Sequence, residues 1–274
     1  MPRIITLTTD FGLEDEYVGV MKGVILARAP RATIVDLSHG IARHNVRQAA
    51  LLVKAAYAFF PAGTIHLAVV DPGVGSGRRL VLLQADDHLF LGPDNGVFGE
   101  FLVPELFQAA YEVCCPNHYL QPVSFTFHGR DILAPVAARL AAGMVPDETG
   151  PAVPCQALQK PALAEPVHDP AQATITGEIT GRDHFGNLPT NIPAALLASF
   201  CSGREAEIKI TVNGRVIHGI AASYGARKEG DLLAIVGSRG VLEISVREGS
   251  GAFRLGARAG DAVIVEKKGA KKPG

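Results

Sequence analysis

The sequence predicts an α/β N-terminal domain with a mostly parallel central sheet, plus a smaller all-β C-terminal barrel. Three observations carry this expectation. Strand and helix signals alternate through the first half. Six prolines crowd residues 144–170. Beyond them, short strand-like runs separated by turn residues fill the chain. The 274 residues suffice for one large domain or two ordinary ones, and 47% hydrophobic residues supply a sizeable core.

The elements follow in order. Residues 4–8 read as a buried first strand. Val18, Met21, Ile25 and Leu26 then recur at helical spacing. Residues 32–37 return to strand. Asn45 is placed to cap a helix, with Gln48 positioned to complete a capping box. That helix would carry Val46, Ala49, Ala50, Val53 and Tyr57 on one face. Strands are expected over 64–70, 80–84 and, after the Asp86-Asp87 turn, 89–91. Asp131 is placed to cap a further helix through Ile132, Val136 and Leu140. Strand–helix alternation of this kind implies a sheet covered on both faces.

The N-terminal domain is therefore set at 1–145 and a proline-rich linker at 146–170. The β domain follows at 171–268, with strands expected near 173–180, 206–212, 215–220, 232–236, 241–246 and 262–266. Asn213-Gly214 signals a type I′ hairpin, and one helical patch interrupts at 193–200. Residues 269–274 form a basic tail.

Composition narrows the function classes. A net charge of −1 and only 6% aromatic residues argue against a nucleic-acid partner. No apolar run is long enough to span a bilayer, and the start of the chain lacks signal-peptide features. The four cysteines (Cys114, Cys115, Cys155, Cys201) form no CxxC pair, which disfavours zinc. They read as buried or inert thiols in a reducing cytosol, so a cytoplasmic location is expected.

Five segments carry chemistry. The most informative is Val70-Asp71-Pro72-Gly73-Val74-Gly75-Ser76-Gly77-Arg78, where a strand delivers a carboxylate to a glycine loop that brings back an arginine. It lacks the phosphate-loop pattern, and an acid beside phosphate is repulsive. A plain glycine turn is the alternative. Thr9-Asp10-Phe11-Gly12 ends the first strand, where open α/β sheets bind ligands. Asp10 there can receive ribose hydroxyls or cap a turn. Phe127-His128-Gly129-Arg130-Asp131 places a histidine at a helix start, facing a cleft or serving structure. Asp183 and Asn187 in Asp183-His184-Phe185-Gly186-Asn187 suit the ammonium and carboxylate of an amino-acid end group, and Ser238 with Arg239 in Gly237-Ser238-Arg239-Gly240 suit a ligand carboxylate. Each is otherwise a polar hairpin. No histidine spacing supports a metal site.

Taken in this order, the segments resemble the S-adenosylmethionine hydroxide adenosyltransferases, relatives of the fluorinating and chlorinating adenosyltransferases. Asp36-Leu37-Ser38-His39 and Gly92-Pro93-Asp94-Asn95-Gly96 add to the resemblance, which covers nearly the whole chain. It implies hydrolysis of S-adenosylmethionine to adenosine and methionine. It also implies a homotrimer whose active site lies between the N-terminal domain of one subunit and the C-terminal domain of the next. The family's catalytic set falls on Asp71, Arg78 and His128, and its ribose aspartate on Asp10. Its methionine end falls on Asp183, Asn187, Ser238 and Arg239, and Tyr224 joins the substrate-binding residues. The related halogenases do not carry the aspartate at position 71. Arg239 departs from the pattern, standing where many hydrolases have a bulky apolar residue and halogenases have arginine.

The implied chemistry suits these residue types. A sulfonium makes methionine a neutral leaving group, so no general acid, metal or redox cofactor is required. The enzyme must instead supply an oxygen nucleophile in line with the departing sulfur. Asp71 would disfavour halide in that place: two like unit charges at about 4 Å cost on the order of 4 kcal/mol at an effective dielectric of 20. A halide-dependent adenosyltransferase and a non-catalytic S-adenosylmethionine or adenosine binder are the alternatives.

Overall fold

The computed structural model describes residues 3–160 and 163–267. The basic tail at 269–274 lies outside them. The chain forms two compact units, residues 1–162 and 163–274.

The first unit is built on a six-stranded sheet. Its strands are β1 (Ile4–Thr9), β2 (Thr33–Ser38), β3 (Ile65–Val69), β4 (Leu80–Ala85), β5 (His88–Pro93) and β6 (Phe107–Glu112), in the order β2-β1-β3-β5-β4-β6. β2, β1, β3 and β5 pair in parallel, while β4 runs antiparallel to both neighbours. β4 and β5 form a tight hairpin because Asp86 and Asp87 both adopt positive φ.

Helices cover both faces. Met21 and Ile25 of α1 (Tyr17–Arg28) pack with Leu133, Val136 and Leu140, the last two on α3 (Ala134–Ala141), against Leu7, Leu67 and Leu91. On the other face Ala49 and Val53 of α2 (Val46–Ala56) join Tyr57, Phe90, Phe98 and Phe101. The chain leaves β1 through α1 to reach β2, then returns through α2 to β3 on the opposite side of β1. Strand order therefore reverses between β1 and β3, and the crevice at their carboxyl ends is where such sheets bind ligands.

Two helix starts differ from expectation. Asn45 Oδ1 does accept the Gln48 amide, at 2.9 Å, but Gln48 Oε1 accepts from Ala42 N rather than closing a box. Asp131 caps nothing; it lies inside a π-helical turn, Gly129–Leu133, that runs into α3. Its carboxylate is buried and holds other partners. The four cysteines are free thiols, but only Cys201 is buried, and Cys114 is exposed.

Part of the proline-rich segment packs on the first unit. Ala152 bridges to Tyr111, and Val153 and Leu158 enter the α2-side core.

The second unit holds two antiparallel sheets rather than a closed barrel. One orders β11 (Arg215–His218), β10 (Ile208–Val212), β14 (Ala262–Lys267), β8 (Thr174–Glu178) and β7 (Val167–Asp169). The other orders β12 (Leu232–Val236), β13 (Val241–Val246) and β9 (Leu188–Pro193). Ile175, Ile210, Val263 and Val265 of the first meet Leu188, Leu242 and Ile244 of the second in one core. Among the described residues, isolated bridges alone, Ile179–Thr190 and Ala221–Ile235, link the sheets. Side-chain packing across the layers replaces continuous strand pairing. Asn213 and Gly214 take the positive φ values of a type I′ turn between β10 and β11. Two helices, α4 (Ala194–Cys201) and α5 (Gly251–Leu255), complete the unit.

Candidate active site

In the first unit a cleft of about 650 Å³ opens at the reversal point, lined by Asp10, Phe11, Tyr17, Asp71, Phe127 and His128, among others. Asp10 follows β1 and Asp71 follows β3, so neighbouring strands deliver both carboxylates. The Asp10 Oδ2 accepts the His44 amide at 2.8 Å. Behind it His39 Nδ1 lies 2.9 Å from Thr9 Oγ1, and the His39 carbonyl accepts from Gly12 N. This is the contribution of Asp36-Leu37-Ser38-His39: it fixes the turn that presents Asp10.

The glycine loop folds as a clamp. Arg78 Nε donates to both Asp71 oxygens, at 3.1 and 2.9 Å, and Nη2 donates to Oδ2. The Asp71 and Arg78 side chains are 6% and 12% exposed, so the pair is a shielded one. Gly73 N also donates to Asp71 Oδ1. The second arginine turns elsewhere. Arg79 pairs with Asp94, and Asn95 Nδ2 donates to the Val70 carbonyl at 2.8 Å. Gly92-Pro93-Asp94-Asn95-Gly96 thus pins both ends of the loop. Gly75, at φ +76°, lies so near Phe125 that a Cβ would sit 2.5 Å from its carbonyl oxygen. The glycine lets the Asp71 loop and the His128 loop touch.

His128 lines the cleft with Nδ1 buried and without a hydrogen-bond partner among the described residues. Burial, then the Arg78 charge, push its pKa below the ordinary histidine value, against the pull of Asp71 and Asp131. Its loop is held by Asp131, which accepts Ser124 N at 2.8 Å and both Nε and Nη2 of Arg130. Although burial alone would raise the Asp131 pKa, those partners keep it low. Phe11, Tyr17 and Phe127 pack edge to face or tilted, with centroids 5.2–5.8 Å apart, and form an aromatic wall.

The second unit has its own cavity, of about 770 Å³. Asp183, Asn187, Tyr224, Ser238 and Arg239 all line it, together with Glu243 and Arg247. Asn187 donates to Asp183 twice, from N and Nδ2, each at 2.8 Å. Tyr224 donates to Glu243 at 2.7 Å. Its phenol is pushed up to about 12, by burial first and then by that carboxylate.

The residues singled out in the sequence therefore gather in two groups, one in each unit. Sequence reasoning missed Glu243, Asn95 as the anchor of Val70, and the aromatic wall. Glu243 alternates within a strand and carries no local signal. Asn95 was visible as part of a motif but not as a loop anchor. Among the described residues no group of three or more His, Cys, Asp or Glu is placed to hold a metal ion, and no helix is long and apolar enough to cross a membrane.

Comparison with known proteins accords with this geometry. Residues 5–150 match the SAM hydroxide adenosyltransferase N-terminal domain and residues 177–264 the corresponding C-terminal domain. The chain belongs to the SAM hydroxide adenosyltransferase family. An (R)-S-adenosyl-L-methionine hydrolase of Salinispora tropica is 37% identical, the match covering 95% of this chain and 97% of the relative. A fluorinase of Actinoplanes sp. is 26% identical over 96% of this chain and 97% of its own. The crystal structure of an uncharacterized conserved protein from Thermotoga maritima superimposes with a TM-score of 0.89 at 32% identity, covering 96% and 100% of the two chains.

Proposed function

We propose that the protein hydrolyses S-adenosyl-L-methionine to adenosine and L-methionine by in-line attack of water at the ribose C5′. The carrying observation is the shielded Asp71–Arg78 pair, whose carboxylate member lines a cleft with Asp10 and His128 while Arg78 holds it from behind the lining. Arg78 uses Nε and Nη2 on Asp71, and its positive charge beside that carboxylate would stabilise the attacking oxygen as it gains charge. His128, kept neutral at ordinary pH, is available to take the proton, and Asp71 to orient the water. Asp10 would hold the ribose hydroxyls, and the Phe11–Tyr17–Phe127 wall the apolar face of the nucleoside. Holding water and C5′ in attack geometry supplies on the order of 7–11 kcal/mol. Methionine leaves as a neutral thioether, so the reaction as proposed needs no metal and no cofactor.

In the cavity of the second unit, Ser238 and Arg239 suit the substrate carboxylate, and Asp183 with Asn187 its ammonium. We place the working site across a subunit boundary of a homotrimer in the cytoplasm. Two observations support a site shared between subunits. Each cavity holds only part of the chemistry: nucleophile and ribose groups in one, amino-acid groups in the other. Each is also bordered by exposed apolar side chains, Leu13, Val74 and Phe125 on the first unit and Phe185 on the second.

Arg239 and the fluorinase relatives keep halide transfer as a second reading. Because Arg78 pairs with Asp71, the repulsion of a halide is weaker than for a lone carboxylate. Incubation with S-adenosylmethionine, with and without chloride or fluoride, separates the readings by chromatography. Adenosine plus methionine is expected. A 5′-halo-adenosine would establish halide transfer, and recovery of unchanged substrate would reduce the protein to a binder.

A further inference from the structure

We propose that Glu243 is a positioning residue for the substrate: through the Tyr224 hydroxyl it fixes the ring that walls the cavity of the second unit. This rests on the reading of that cavity as a substrate site. Tyr224 sits in a short turn between β11 and β12 and is 44% exposed, so packing alone does not set its ring. Its anchor is the 2.7 Å hydrogen bond to Glu243 Oε1. Glu243 itself is firmly held. It lies in β13, between Ile235 of β12 and Pro189 of β9, and buried Ser245 donates to the same Oε1 at 3.0 Å. Its other oxygen lies against the next turn of the cavity, where a Cβ on Gly237 would stand 3.0 Å from Oε2. One carboxylate thus holds the Tyr224 turn and lies beside the turn that presents Ser238 and Arg239.

A nearly buried carboxylate that, among the described residues, is satisfied by two hydroxyls rather than a cation is costly to keep for stability alone. Its geometry suits orientation of a phenol ring. Because the working site is proposed to span a subunit boundary, a nucleoside with one face on the Phe11–Tyr17–Phe127 wall of one subunit would leave the other face of its flat purine for this ring of the next.

The test is a double-mutant cycle on the full-length protein. It reads kcat and KM for S-adenosylmethionine and the affinity for adenosine by calorimetry. Glu243→Ala is expected to raise KM and weaken adenosine binding about three- to tenfold, with kcat within about twofold. In the Tyr224→Phe background the same substitution should change neither by more than about twofold, because the linking hydroxyl is already gone. Glu243→Gln, which keeps an acceptor, should recover most of the loss. Independent, multiplicative effects would overturn the inference, as would a drop in kcat at constant KM. Should Glu243→Ala fail to fold, Tyr224→Phe decides alone: an unchanged KM and adenosine affinity sinks the proposal. Wild-type protein that binds adenosine without turnover refutes hydrolysis but leaves the binding cycle decisive. Wild-type protein that binds neither ligand overturns both readings.

Discussion

Asp71 and Arg78 are seven residues apart, yet the glycine loop brings their side chains into a forked contact. Asp71→Asn keeps the shape and removes the charge. Turnover is expected to fall about 10²–10³-fold, with adenosine affinity changed little, because the lost interaction acts mainly in the transition state. Steady-state kinetics beside calorimetry measure both, and wild-type turnover in the variant would remove Asp71 from the mechanism. His128 makes a separate prediction. Its pKa is lowered, so the neutral base persists below pH 6.5 and is lost only on further acidification. kcat/KM should stay level from neutrality to about pH 6.5 and then decline along a single acid limb. In His128→Asn that limb should disappear from whatever activity remains.

At the scale of elements, the loop after β3 depends on its contact with the loop before α3. Gly75→Ala must both accept positive φ and push against the Phe125 backbone. Activity should therefore fall by more than tenfold while the thermal midpoint drops only a few degrees, since the change falls in a surface loop outside the core. Equal loss of both would place Gly75 in the fold rather than the site. β3 and β5 carry a different liability on the same sheet. His66, buried beneath Phe90, lies 2.9 Å from Thr6 Oγ1 and 3.2 Å from His88. Burial, with a contribution from His88, lowers its pKa to about 3. The unfolded chain therefore binds a proton more readily between about pH 6.5 and 3, so stability must fall as pH falls through that window. The slope is at most about 1.4 kcal/mol per pH unit from this group. Denaturant melts at stepped pH would show it, and stability independent of pH over that range would contradict it.

For the whole molecule, the two cavities with complementary chemistry make the assembly testable. Sedimentation should give the mass of three chains. A variant disabled at Asp71 and one disabled at Arg239 should each be inactive or nearly so. After subunit exchange the mixture should regain activity at up to about a quarter of the sites, because some sites then combine two intact halves. No recovery after demonstrated exchange would place each site within one chain.

The sequence by itself determined the class of each layer. Alternating β and α periods dictated a covered, mostly parallel sheet in the first unit, and Asn213-Gly214 dictated a hairpin, because hydrophobic period and turn chemistry are local properties. It also exposed Asp10, Asp71, Arg78 and His128, since glycine and proline punctuate the loops that carry them. Tertiary structure decided what local pattern cannot encode. It put Asp10 and Asp71 side by side through the crossover that places β3 next to β1. It gave Arg78 to Asp71 and Arg79 to Asp94, two adjacent arginines that look alike in sequence. It made Asp131 a buried brace instead of a helix cap, and it stacked the C-terminal strands into two packed sheets instead of a closed barrel. It also drew Glu243 from an ordinary strand to Tyr224, nineteen residues away in sequence. In each case the outcome depends on which distant surfaces bury one another, and only the folded chain sets that.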